Sequence, residues 1–425
     1  MLNINFIRQN PEIVKQAAIN KGMTVDIDRI LVLDALLREA TIKIDAMRAE
    51  RNRLSKLIPA CQDMAEKESI AEQVRLLKAN LVTHENTALD YRCELEWLML
   101  HVPSVPAPEV PIGKGEEDNI ELRRVGRVHE FDFAPRDHVE LCELHDMLDT
   151  QRAAKVAGSR SYYLKNDAVF LEMAVSRFVL DVLVSRGFTP MTVPHLAKEK
   201  AMEGSGYFPI GRDEAYEIPE DELFLAGTSE VPLVCYHQNE ILQMQQFPIK
   251  YAGVSTCYRQ EVGNYGRDTR GLYRVHQFHK VEQIVLCEAD DAKAEALHYE
   301  LLVNAEAILQ ALELPYRVCL ACTGEIGIGQ TRKHEVETWM PSRGAYCETH
   351  SCSTLGDFQA RRLGIRYRDA NGETQYAYTL NNTGIASPRI LIPLLENHQN
   401  ADGSINIPKA LQPYLGGRAV IQANT

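Results

Sequence analysis

No apolar run in the 425-residue chain reaches the roughly 18 residues that a membrane-spanning helix needs, so no membrane partner is expected. The first residues, "MLNINFIRQNPEIVKQ", lack the basic segment and apolar stretch of a secretory leader, and the expected location is cytoplasmic. Basic residues are outnumbered as well, 46 Lys and Arg against 59 Asp and Glu. A formal net charge of −13 argues against indiscriminate binding of nucleic acid, so DNA is not an expected partner. Any nucleic-acid partner must be held by a local basic patch against a repelling background. Short-period repeats and low-complexity tracts are absent as well.

Ten cysteines without a leader point to reduced thiols. Cys319-x-x-Cys322, followed by Cys347 and Cys352, has a spacing that zinc could use. The stretch "RVCLACTG" also reads as a buried strand in which cysteine is a small hydrophobe, and packing is the expectation. The 45% hydrophobic and 25% charged composition is that of an ordinary globular protein, and the length suggests about two or three domains.

From Ile30 the apolar positions run Leu33, Leu37, Ala40, Ile44, Met47, Leu54 and Ile58, in steps of three and four that only Arg51 interrupts. No proline or glycine falls between Thr24 and Ile58, so the spacing predicts one long helix with a narrow apolar seam. A second seam runs from Ile70 through Val74, Leu77, Leu81, His84, Ala88, Tyr91, Leu95 and Leu98 to Val102, with the reversal placed at 59–67. The pair predicts an antiparallel coiled-coil hairpin with arms of roughly 40 to 50 Å, whose expected use is reach. Around its tip, Arg48, Arg51, Arg53, Lys56, Lys67, Arg75 and Lys78 stand against Glu50, Asp63, Glu66, Glu68 and Glu72. Two readings remain open there, a solvated face of mixed charge and a local basic patch within an acidic chain.

The proline-rich "HVPSVPAPEVPIGKGEEDN" (101–119) reads as a linker. Beyond it helices are expected around 167–186 and 291–313, and strands around 248–256, 273–287, 315–321, 335–340, 364–368 and 374–380. Asn371-Gly372 signals a two-residue hairpin turn. Strands joined by hairpins imply an antiparallel sheet and an α+β fold.

The stretch "CYRQEVGNYGRDTRGLYRVHQFHKVE" (257–282) reads as strand, loop and strand. Arg259 and Glu261 are expected on one face of the first strand. Gly263, Gly266, Arg267 and Gly271 fall in the loop, and Arg274, His276, Phe278, Lys280 and Glu282 share a face of the second. Such a face could hold a triphosphate by charge, a purine by stacking and an amine by carboxylate. It could equally be a solvated sheet face laced with ion pairs. "GTSEVPL" (227–233) and "TLNNTGIASPRILIPLLENHQ" (379–399) add Thr228, Glu230 and Arg389 to the candidates.

These motifs resemble the class II aminoacyl-tRNA synthetases and, among them, bacterial-type seryl-tRNA synthetases. "GFTPMTVPHL" with Pro194 looks like motif 1, the dimer-interface element. "YRQEVGNYGRDTRGLYRVHQF" looks like motif 2 and "NNTGIASPRILIPLLENHQ" like motif 3. The match is made specific by "GRDTRGL", "SCS..GDFQARR", the Thr-x-Glu at 228–230 and the N-terminal hairpin, all in family order. The resemblance implies an antiparallel-sheet catalytic domain at 109–425, preceded by a tRNA-binding domain at 1–108 whose coiled-coil arm spans about 28–103.

By the same resemblance, ATP would be held by Arg259, Gln260, Glu261, Val275, Phe278, Glu348, Thr349, His350, Ser351 and Arg389, with Arg259, Glu348 and Arg389 catalytic. Phe278 would stack on the adenine, and Glu348 with Ser351 would hold Mg²⁺. L-serine would lie among Thr228, Ser229, Glu230, Arg259, Glu282 and Thr383. Arg51, Arg53, Lys56 and Lys78 would meet tRNA(Ser), and tRNA(Sec) as well. The family is homodimeric. Where it commonly carries Lys-Thr-Tyr-Asp, this chain has Arg332, Lys333, His334 and Glu335; Cys347 replaces an arginine and His350 a small residue. Two rivals are a serine-activating paralogue, expected to have a lost or shortened hairpin, and a non-catalytic binding protein, expected to have lost Arg259, Glu261, Glu348 or Arg389.

Overall fold

The structure, a computed structural model, describes residues 1–262, 268 and 270–423. Gly263, Gly266 and Arg267 of the expected loop therefore lie outside the described residues. Two compact units are present: Leu2–Ile19 with Met23–Pro103, and Ser104–Thr425 joined by Met1 and Asn20–Gly22.

The first unit is helical. Two short helices, Ile4–Gln9 and Pro11–Asn20, precede α1 (Ile27–Leu57) and α2 (Met64–Met99). Asp26 caps α1 by accepting from Arg29 N, and Asp63 caps α2 by accepting from Ala65 N. The reversal is thus shorter than 59–67, because the Asp63 cap starts α2 at once and Met64 to Lys67 are already helical. Ile44, Leu81 and Ala88 form one knot of the seam, and Leu54, Ile70 and Val74 another. At the base, the Arg29 guanidinium donates to both oxygens of Glu94 at 2.7 and 2.6 Å, and Arg8 does the same to the buried Asp34.

The second unit is built on an eight-stranded sheet. Its strands are β1 (Ile120–Val125), β2 (Thr189–Thr192), β3 (Ile249–Tyr258), β4 (Gln277–Cys287), β5 (Tyr316–Leu320), β6 (Arg332–Met340), β7 (Ala345–Gly356) and β8 (Tyr378–Ser387). They lie in the order β1-β5-β6-β7-β8-β4-β3-β2. Every pairing is antiparallel except β2 with β3, so the fold is α+β. Helices α3 (His138–Leu144), α4 (Asp167–Ser185), α5 (Asp291–Ala311) and α6 (Leu391–Asn397) contribute Leu141, Val175, Leu301 and Leu394 to the main core.

Three expectations are corrected. The 101–119 segment is docked rather than free: Ser104 N and Ala107 N donate to Ile328 O and Thr331 O at 2.8 Å, and Val110 packs on Ala321 and Ile326. β4 begins at Gln277 rather than 273, and β3 ends at Tyr258, so Arg259 and Glu261 follow the strand instead of sharing its face. The turn at Asn371-Gly372 is not a two-residue loop. Asp369 N donates to Glu373 O, and the Asp369 carboxylate accepts from Asn371 N and Glu373 N, closing three residues with Gly372 at φ +82°. Cys319, Cys322 and Cys352 are buried. Among the described residues no helix is long and apolar enough to cross a membrane.

Candidate active site

A cavity of about 320 Å³ opens over the middle of the sheet, lined by residues of β4, β7 and β8 and by the segments that follow β3 and β8. Nine of the sequence-derived residues line it: Arg259, Glu261, Val275, Phe278, Glu348, Thr349, Ser351, Thr383 and Arg389. Period two along β4 turns Phe278 and Lys280 into the cavity, whereas His276 faces a separate pocket with His279 and Tyr216.

Glu348 and Ser351 are an odd number of positions apart, which in a regular strand would send them to opposite faces. Opposite β6 the pairing shifts register, with Val336 against His350 and Glu337 against Glu348, so Thr349 is an extra residue in β7. That bulge resets the alternation and returns Glu348 and Ser351 to one face. A second shift sits between Val281 and Glu282, where Gly384 is extra in β8 beside Thr383.

Positive charge gathers around Glu348. Burial alone would raise its carboxyl, but Lys333, Arg389, Arg259 and Lys280 outweigh burial and hold it below the usual range. Arg389 Nη1 donates to Glu348 O at 3.2 Å and its Nε to Tyr273 O at 3.1 Å. Arg259 Nε donates to Gly227 O at 3.2 Å, and its guanidinium lies 5.3 Å from the Phe278 ring centre. Glu261 pairs with Arg274 at 3.2 Å.

Beside the cavity is a smaller polar group. Lys280 Nζ donates to Thr228 Oγ1 at 3.3 Å and pairs with Glu282. Glu230 N donates to Thr228 Oγ1 at 3.3 Å, and the Glu230 carboxylate accepts from Gln359 Nε2 at 2.7 Å. Burial, and then the Glu282 carboxylate, push Glu230 up to about 7 against Gln359, Lys280 and Asn381. Burial raises Glu282 too, against Lys280 and Arg259. Ser229 is buried beneath, bonded to Ser255 Oγ at 2.7 Å.

Two of the residues expected to hold ATP do not point into the cavity. The Gln260 amide turns away and donates to Ala215 O at 2.8 Å. His350 is buried on the opposite face, with Nδ1 against Thr349 Oγ1 at 2.9 Å and Nε2 against Gly384 O at 3.1 Å. Burial lowers its imidazole to about 4, so it stays neutral. Cys347 packs with Tyr273 against Leu272, Met340 and Ile392. Arg51, Arg53, Lys56 and Lys78 belong to the arm, where Arg53 pairs with Glu50 at 2.7 Å and Arg51 donates to Asn52 Oδ1.

Sequence reasoning placed Lys280 and Arg274 on the face without a role, although period two from Phe278 marks Lys280. It missed Tyr207 and Glu214, which line the cavity from a segment without periodic signal, and Gln359, whose amide donates to Glu230 and whose oxygen accepts from Thr379.

The family described as "Seryl-tRNA synthetase N-terminal domain" matches residues 1–106, and "tRNA synthetase class II core domain (G, H, P, S and T)" matches 215–398. The chain is 48% identical to the serine-tRNA ligase of Deinococcus radiodurans over 421 residues, 99% of each chain. It is 42% identical to that of Dictyoglomus turgidum over 98% of each. The solved seryl-tRNA synthetase from Pyrococcus horikoshii, complexed with ATP, superposes with a TM-score of 0.92 at 36% identity over 100% of both chains.

Proposed function

The chain belongs to the seryl-tRNA synthetase family, and we propose how its residues divide the work of that ligase. It is an ATP-dependent ligase that activates serine and esterifies it to tRNA. In our assignment ATP occupies the cavity, with Phe278 under the adenine, Glu261 and the Val275 backbone at the base edge, and Arg389 across the nucleotide. Serine lies among Thr228, Glu230, Glu282 and Thr383. The observation that carries this is the meeting, at one cavity, of Arg259, Glu348 and Arg389 with Phe278, beside a buried Thr228–Lys280–Glu282 group.

A serine carboxylate is already ionised and needs no general base. Its oxygen attacks the α-phosphorus, the bond to the bridging oxygen breaks, and pyrophosphate leaves with that oxygen's electron pair. Arg259 meets the charge that develops at phosphorus, so positioning and charge stabilisation supply the rate. In the second step a ribose hydroxyl at the tRNA 3′ end attacks the seryl carbonyl, the bond from that carbon to the phosphate oxygen breaks, the hydroxyl proton passes to the departing phosphate, and AMP leaves. A carboxylate that accepts from the serine hydroxyl discriminates against alanine, which would leave it unpaired.

Glu348 and Ser351 fit a hard divalent cation: a carboxylate held ionised and a hydroxyl returned to its face by the Thr349 bulge. They would hold Mg²⁺, which supplies positive charge to the triphosphate when bound. Residues 1–108 form the tRNA-binding part and 109–425 the catalytic part. The arm meets tRNA(Ser), and tRNA(Sec), by shape and phosphates, through Arg51, Arg53, Lys56 and Lys78. The protein works as a cytoplasmic homodimer joined at motif 1, a reading supported by the exposed Leu196 of that motif and the exposed Phe170 and Met173 of α4, the helix that precedes it in the chain.

Pyrophosphate exchange with a panel of amino acids, followed by charging of bulk tRNA, tests the assignment. Serine alone should support both reactions. Exchange without charging would mark a carrier-loading paralogue, and neither reaction would overturn the proposal.

A further inference from the structure

Glu396 of α6 is 0% exposed and outside the cavity, yet its carboxylate accepts four hydrogen bonds. Oε1 accepts from His138 N at 2.9 Å, His138 Nδ1 at 3.0 Å and Ser342 Oγ at 2.8 Å, and Oε2 accepts from Ser342 N at 3.0 Å. A buried carboxylate stabilises a fold poorly compared with an apolar side chain of similar volume. The two residues it binds both lead toward the nucleotide cavity.

On one side, His138 Nε2 accepts from Leu272 N at 3.2 Å, so that nitrogen carries no hydrogen and Nδ1 carries it. The contact is close: a Cβ on Gly271, where φ is +80°, would sit 2.1 Å from Nε2. Leu272, Tyr273, Arg274 and Val275 then line the cavity in succession. On the other side, Ser342 precedes Arg343, whose guanidinium lies 3.8 Å from the Tyr273 ring centre. Arg389 lies 4.5 Å from that ring centre and donates to the Tyr273 carbonyl.

We propose that Glu396 is a positioning residue of the nucleotide site: through His138 and Leu272, and through Ser342 and Arg343, it clamps Tyr273, and Tyr273 fixes Arg389 at the cavity. This rests on the cavity being the ATP site. Glu396 touches no reacting atom. Its contribution is to hold two backbone segments in register with motif 3, so that the Arg389 guanidinium is pre-oriented before ATP arrives.

The test measures KM for ATP, KM for serine and kcat by pyrophosphate exchange, with thermal melting alongside, on the full chain. Glu396→Gln should raise KM for ATP about tenfold with KM for serine nearly unchanged, because an amide nitrogen then faces a Ser342 donor. Because that variant risks misfolding, His138→Asn and His138→Gln supply a comparison that leaves Glu396 in place. The glutamine oxygen reaches the Nε2 position and retains an acceptor for Leu272 N, so it should restore KM for ATP to within about threefold. The asparagine reaches only the Nδ1 position and should raise KM about tenfold. Equal KM values in the two histidine variants, or a fall in melting temperature alone, would overturn the proposal. Arg389→Ala runs beside them: if it too leaves KM for ATP unchanged, the assignment of the cavity fails, and the proposal with it.

Discussion

Lys280 and Glu282 stand two positions apart on β4 and form a buried ion pair, while the same ammonium donates to Thr228 Oγ1 at 3.3 Å. One cation therefore joins the cavity assigned to the nucleotide, which Lys280 lines, to Glu282, and its charge also reaches Glu230. Lys280→Met should leave Glu282 and Glu230 without that neighbour and drive both toward the neutral form. The expected outcome is a rise of more than about tenfold in KM for serine, exceeding the change for ATP, in pyrophosphate exchange.

The Glu230 carboxyl at about 7 gives activity a pH dependence with a definite sign. In our assignment ionised Glu230 accepts from the serine hydroxyl, so kcat/KM for serine should rise with pH through about 7 and level off above it. Glu230→Gln should flatten that limb and lower the plateau by about a hundredfold, since a carboxylate acceptor is lost. Stability runs the other way. Because the folded value lies above the ordinary 4.5, the folded chain binds more protons in that window, and this group's contribution falls as pH rises from 4.5 to about 7.

His350 tests whether this chain's departures from the family pattern matter. Its ring braces Gly384, the extra residue next to Thr383, and stays neutral because burial lowers it to about 4. His350→Ala should raise KM for serine about threefold to tenfold while leaving the pH profile unmoved. A shifted profile would mean that the imidazole titrates in the working range.

On the arm, the charges are not equivalent. Arg53 is tied to Glu50 and Arg75 to Glu72, whereas among the described residues Lys56 and Lys78 have no ion-pair partner. Neutralising Lys56 and Lys78 should weaken tRNA binding and flatten its salt dependence by about one to two counterions, more than Arg53→Ala does. Filter binding across a salt series reads the slope, and pyrophosphate exchange should not change. An unchanged slope would restore the solvated-face reading of the arm.

The long helices were legible because seam spacing and the lack of proline and glycine agree; the Asp26 and Asp63 caps that fix their starts were not read. Motif residues were legible as types and order, and period two located Phe278 and Lys280. The bulges at Thr349 and Gly384 were not, because an extra residue leaves no mark in a single strand and shows only against its partner. They decide that Glu348 shares a face with Ser351 and that His350 lies behind it. The docking of 104–111 was hidden for a similar reason: prolines report where helices and strands stop, and the carbonyls of 328 and 331 that receive the segment are distant in sequence.

Serine-dependent pyrophosphate exchange by Arg259→Ala, with oligomeric state and melting temperature checked in parallel, tests the assigned chemistry most directly. Arg259 faces the cavity and is assigned to charge that appears only as the α-phosphorus is attacked. The expected result is a fall of at least about a thousandfold in kcat/KM with the oligomeric state unchanged. Exchange surviving within about tenfold of the parent chain would contradict it.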